Sequence, residues 1–285
     1  MHVIAIHGIW QGNTNARKLQ ADWAGALAKG LRLHHGSSCP VPPLTVAYYG
    51  NLFRQRSQRL GPNDGVLMID EDEPFTDEEE AFVLDTLALY APPDLNLQEI
   101  ETETLGLGIP YIPLPVARFL AAADRGVGRG VGRPLLRLVR QVYRYLHHDI
   151  GERIRGHVLP ELHREGPRLV IAHSLGSVIA FDMLTRTETG PGPEGLTTLV
   201  TCGSPLSWPT IRRSLGQVDT LRLPDGIEWI NLHAAGDIVA QGGLAGVAPS
   251  VQDELVYNGL ASPHEARRYL ECEALSNVIA KAQAT

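Results

Sequence analysis

Residues 168–177 read Arg-Leu-Val-Ile-Ala-His-Ser-Leu-Gly-Ser, and one side chain in that run could do covalent chemistry. An apolar, β-branched run ends at His173, Ser174 follows, and residues 175–184 continue with helical character. A serine on so tight a turn is pushed out above a sheet, where its hydroxyl can attack a carbonyl once an imidazole takes its proton. Ala172 and Gly176 stand two positions either side, where larger side chains would clash as strand and helix cross. Two histidines follow Ser174 in the chain. His233 lies inside the apolar run 228–233 and reads as a strand residue, whereas His264 sits at a loop-to-helix junction in Ala-Ser-Pro-His-Glu. Asp237 follows the run at 228–233 by a few residues, and a carboxylate there can reach the Nδ1 of a histidine on the next loop and fix its tautomer.

The strand–serine–helix segment resembles the G-x-S-x-G nucleophile elbow, with Ala172 in place of the first glycine. The chain is thereby similar to the α/β-hydrolases, of the bacterial serine esterase and lipase kind. That resemblance implies a triad in the order serine, acid, histidine, and so the nucleophile Ser174, the base His264 and the acid Asp237. Asp219 and Asp225 fall in a charged segment that reads as solvated loop, and Asp253 and Glu254 open a strand. The first strand ends in His7-Gly8-Ile9-Trp10-Gln11-Gly12, similar to the HG-x loop of lipases. By resemblance this loop supplies one oxyanion donor, the N–H of Ile9 with Trp10 as the alternative, and Leu175 supplies the other. Gly8 lets that backbone turn without a Cβ in the way.

The same likeness implies a serine hydrolase that cleaves a carboxylic ester through an acyl-enzyme, with no metal and no organic cofactor. A thioesterase, amidase or acyltransferase would use the same apparatus, and a non-catalytic binding module could keep the fold. His7 reads as ordering its loop by hydrogen bonding. His173 reads as a packing or polar-network residue, because neighbours on a strand point to opposite faces. Thr201-Cys202-Gly203-Ser204-Pro205 resembles the T-x-G-S-P segment that ends the next strand in bacterial members, where it makes a sharp turn. Cys202 sits in an apolar strand with no base nearby in sequence and is not read as a nucleophile.

Positioning these groups falls to short β-branched runs at 3–7, 44–49, 168–173, 198–202 and 227–233, with a weaker one at 254–257. Nearly continuous apolar character suits strands covered on both faces. Helical spacing fills the gaps: 14–29, ended by Gly30; a long run opened by Pro134 and continuing past Ile154; and a terminal helix over 264–282. The alternation predicts α/β architecture, a three-layer sandwich around a mostly parallel sheet that begins at the HG strand. The resemblance implies that two leading strands of the full fold are missing, as in compact lipases. One domain spanning 1–285 is expected, with residues 52–133, far too long for an ordinary connection, inserted as a cap or lid. Its apolar stretch at 105–120 could cover an acyl-chain pocket or simply pack on the sheet.

Composition excludes other classes. The 285 residues are 44% hydrophobic and 20% charged, globular values rather than those of a disordered chain. A net charge of −7 argues against nucleic acid as a partner; a small-molecule or acyl substrate is what the resemblance implies. Three scattered cysteines suit a reducing compartment. The amino terminus lacks a signal-peptide core, so a cytoplasmic protein is expected. The most apolar window, 105–123, is interrupted by three prolines and an arginine and does not read as a transmembrane helix. His34-His35 and His147-His148-Asp149 splay apart on one element, so no metal site is read there. The acidic residues 70–80 read as a solvated surface, with 77–80 suited to a helix start.

Overall fold

A computed structural model describes residues 1–9, 11, 14–53, 74–91, 112–126, 130–163, 167–186, 195–240 and 242–284. Six strands form one all-parallel sheet: β1 (His2–Ile6), β2 (Leu44–Ala47), β3 (Pro167–His173), β4 (Thr198–Cys202), β5 (Glu228–Ala234) and β6 (Val251–Val256). Their order across the sheet is β2-β1-β3-β4-β5-β6. The chain first steps outward from β1 to β2, then returns to the other side of β1, so the winding direction switches between β1 and β3. At such a switch the connections leave to opposite faces and open a crevice beyond the carboxyl ends of the strands.

Alternation along the strands divides the core in two. Val3 and Ala5 of β1 face α1 (Ala16–His35), α8 (Ala266–Glu271) and α9 (Glu273–Ala284), with Leu27, Leu31, Tyr269 and Ile279 at the centre of that layer. Ile4 and Ile6 face the opposite layer of α5 (Ile150–Leu162) and α6 (Leu175–Thr185). Outside α5 and α6 lies α4 (Gly132–His147), against which α2 (Asp77–Leu87) and α3 (Leu114–Gly126) pack. The short helix α7 (Pro209–Ser214) completes the set among the described residues. No helix of the described residues is long and apolar enough to cross a membrane.

Several boundaries depart from the sequence reading. Helix α1, capped by Asn15 accepting from the Lys18 N–H at 2.9 Å, runs through Gly30 and stops at Gly36, whose φ is 85°. Gly30 is instead a crossing point: a Cβ there would sit 2.8 Å from the Leu270 carbonyl oxygen of α8. The long pattern from Pro134 is two helices, because His148 turns extended (φ −121°, ψ 163°) and the chain folds back. Gly151 makes the fold-back possible, since a Cβ would come 2.0 Å from the Tyr145 carbonyl. The terminal helix likewise divides, with Cys272 extended between α8 and α9.

The acidic surface is also revised. Residues 70–73 lie outside the described residues, and 77–80 do begin α2, capped by the Thr76 hydroxyl. Glu79, however, is buried and takes the Arg140 guanidinium at 2.8 Å and 3.2 Å, with Arg140 also stacked over the Phe75 ring at 4.2 Å. Two desolvated charges pair there, with Arg144 Nε a further 3.9 Å from Glu79 Oε1, so removing either charge is costly. Of the long segment 52–133, residues 54–73, 92–111 and 127–129 lie outside the described residues, among them 105–111 of the apolar stretch 105–120, whose remainder leads into and begins α3.

Candidate active site

Four consecutive strand ends converge on one place. The turn after β3 carries Ser174, that after β4 carries Gly203, that after β5 carries Asp237, and the loop after β6 carries His264. The ladder runs on past the strands to hold these turns: Ser174 N–H donates to the Cys202 carbonyl and Gly203 N–H to the Leu232 carbonyl, each at 3.0 Å. Ser174 is the one non-glycine with positive φ among the described residues (φ 54°, ψ −125°). Such a conformation costs a β-carbon-bearing residue of order 1–3 kcal/mol and persists only where the surroundings enforce it.

Three side chains make a hydrogen-bonded line. Ser174 Oγ donates to His264 Nε2 at 3.0 Å, and His264 Nδ1 donates to Asp237 Oδ1 and Oδ2 at 3.0 Å and 2.9 Å. A carboxylate only accepts, so Asp237 requires the proton on Nδ1 and leaves Nε2 free to accept. Asp237 also receives the Val239 N–H at 2.9 Å and the Tyr269 hydroxyl at 2.6 Å. Burial alone would raise its pKa, but the His264 hydrogen bond and charge, then Tyr269 and the Val239 N–H, outweigh it and hold the carboxyl below its usual range. Of the rival acids, Asp219 and Asp225 are exposed, and Asp253 is occupied by the Asn231 amide and by the backbone N–H groups of Leu244 and Ala245. His233 stays in β5, in register with Leu255 and away from Ser174.

Glycines make the approach possible. A Cβ on Gly176 would lie 2.2 Å from the Ile6 carbonyl oxygen, because the start of α6 presses on the end of β1. At Gly8 it would meet Ser174 Cβ at 2.8 Å, and at Gly203 (φ 56°) it would meet Asp237 Oδ2 at 2.9 Å and His264 Nδ1 at 3.0 Å. The second small position, Ala172, is fully buried in register with Ile6 and Thr201, so a methyl fits where the motif has glycine. Among the described residues, neither the Ile9 nor the Leu175 N–H donates a hydrogen bond. That of Leu175 is free because the first amides of a helix have no partner in it. Trp10 and Gly12 lie outside the described residues.

Two buried histidines brace the site. His7 accepts the Tyr49 N–H on Nε2 at 3.1 Å and donates Nδ1–H to the Gly8 carbonyl at 2.7 Å, while the Tyr49 hydroxyl bonds to the His7 carbonyl. His173 donates Nε2–H to the His264 carbonyl at 2.8 Å, and the two imidazoles lie 4.8 Å apart. Sequence reasoning placed both as polar-network residues but not the partner of either. Burial lowers His7 to about 4 and, with the nearby His264, His173 to about 3. The unfolded chain therefore binds protons below pH 6.5 that the folded chain refuses. Stability should fall between pH 6.5 and about 4, by up to about 1.4 kcal/mol per pH unit for each histidine. Urea unfolding at pH 7, 6 and 5 checks this; an unchanged midpoint would contradict it.

A cleft of about 660 Å3 opens over Ser174 and His264. Ile9, Val131, Leu135, Leu138, Ile238 and Val239 supply its apolar walls, so the amino-terminal half of α4 forms one side. Among the described residues no lysine or arginine lines it; Glu265, ion-paired to Arg268 at 3.8 Å, stands at its edge. Ser204 is not a wall residue: it caps the turn Pro205–Ser207 and accepts from Ser177 Oγ at 2.8 Å. Tyr269 and Gly203 are the parts of the site that sequence reasoning missed as such. Gly203 had a signal in the T-x-G-S-P likeness; Tyr269 had none, since a tyrosine at helical spacing reads as core. Among the described residues no three His, Cys, Asp or Glu side chains gather as a metal site would need. No protein-family model, no curated protein and no solved structure matches the chain.

Proposed function

We propose that the chain is a serine hydrolase of the α/β-hydrolase kind, cleaving carboxylic esters of uncharged, apolar acyl groups. The observation that carries this reading is the line from Ser174 Oγ through His264 to Asp237, with Ser174 held at φ 54° beside an apolar cleft. In this reading His264 takes the hydroxyl proton as Oγ attacks the ester carbonyl, and the Ile9 and Leu175 N–H groups receive the oxyanion. His264 then gives the proton to the departing alcohol, leaving an acyl group on Ser174. Water, deprotonated by the same imidazole, releases the acid and restores the serine.

Helices α2–α4 act here as the cap, with α4 as the wall of the acyl site. Ser174 is buried yet lines the cleft, so the cleft is the route by which a substrate reaches Oγ. The apolar walls, with no lysine or arginine lining them among the described residues, favour methylene groups, each worth about 0.8 kcal/mol when buried. The test is a panel of p-nitrophenyl esters from acetate to octanoate, with a monoester of glutaric acid for comparison. The expected result is a kcat/KM at least about tenfold higher for octanoate than for acetate, and a charged monoester turned over least. Absence of turnover on every ester would contradict the reading.

A further inference from the structure

We propose that Tyr269 is a positioning residue of this site: its phenol, brought to Asp237 by the helix that follows His264, sets how strongly the carboxylate polarises the imidazole. The inference rests on the reading of Ser174, His264 and Asp237 as a catalytic group. Tyr269 is wholly buried, and its hydroxyl accepts the Ala234 N–H at 3.0 Å. That bond occupies a lone pair and directs the phenolic proton to Asp237 Oδ2, 2.6 Å away. His264 Nδ1 approaches the same oxygen at 2.9 Å. Phenol and imidazolium therefore draw on one negative charge, and what the first takes the second does not get. Both come from a single short stretch, 264–269, so the segment that delivers the base also delivers the group that tempers its acid.

Other ionisable groups around the pair do not carry this role. His173 from β3 and Cys202 from β4 are buried, and Tyr90 from the turn Ala88–Tyr90 bonds to the Ile238 carbonyl at 3.0 Å. Burial lowers His173 to about 3 and raises Cys202 and Tyr90, so all three stay uncharged near neutrality. Glu265 faces Arg268. That leaves His264 as the side chain that shares the Asp237 carboxylate with Tyr269.

The test follows the His264 Cε1–H resonance against pH in the full chain, assigned by its loss in His264→Ala. In Tyr269→Phe the carboxylate keeps its whole charge, and the midpoint should rise by about half a pH unit or more. The acid limb of kcat/KM for an ester should move the same way. Site-specific 3-fluorotyrosine at position 269, a stronger donor, should move both in the opposite direction. Midpoints within about 0.1 unit of wild type in both variants, even with a lower melting temperature in Tyr269→Phe, would overturn the proposal and leave the hydroxyl as a brace for Ala234. If Tyr269→Phe does not fold, the fluorotyrosine arm decides alone. Failure of the underlying reading looks different: the wild type would turn over no ester while the resonance still shifted.

Discussion

Alanine at His264 is expected to lower kcat for p-nitrophenyl butyrate by about 10^4-fold or more, with KM little changed. The substitution removes Nε2, the atom 3.0 Å from Ser174 Oγ, which in the proposed reading receives the proton in attack and returns it to the leaving alcohol. The same reading assigns ground-state binding to the apolar walls, so the loss should appear in kcat. Folding should survive, because the side chain is 20% exposed and the bond that holds its backbone, from His173 to the His264 carbonyl, does not involve the imidazole. His233→Ala is the matched control. That side chain sits in β5 opposite Leu255 of the edge strand, and its removal should act on stability and leave kcat within about threefold. Steady-state kinetics on the two purified variants, with urea curves beside them, check both halves. A reversal of the two effects would mean that the base is misassigned.

Much of the fold was legible because a parallel sheet buries its strands on both faces. Runs such as Leu169–Ile171 and Leu199–Val200 are apolar without interruption, and each of the six strands lies on or beside the run that marked it. Ser174 was legible for a local reason too: strand, turn and helix are all encoded within a few residues. Asp237 and His264 were reached differently, through chain order implied by a family resemblance, and the sheet brings both to Ser174 by placing β5 and β6 after β4.

What stayed hidden depends on partners distant in sequence. Glu79 looked like one more surface acid because nothing near it announces Arg140, 61 residues on. Gly30 looked like a helix end because glycine is a poor helix residue, while its real role is the crossing of α1 by α8. The single long helix expected after Pro134 failed for a related reason. Helices α4 and α5 bury residues of the same kind at the same spacing, so the periodicity continues across a break that the extended His148 makes. Tyr269 shows the limit most clearly: its ring belongs to the core, as its spacing says, and only its hydroxyl belongs to the site.

The central claim is that Ser174 Oγ is an activated nucleophile, and covalent capture tests it without knowledge of the natural substrate. Incubating the folded protein with a fluorophosphonate should displace fluoride and attach one phosphonyl group per chain. Intact mass should show the single addition, peptide mapping should place it on Ser174, and Ser174→Ala should show none under the same conditions. A wild type that remains unmodified, or a Ser174→Ala variant that is modified as fast as wild type, would contradict the account.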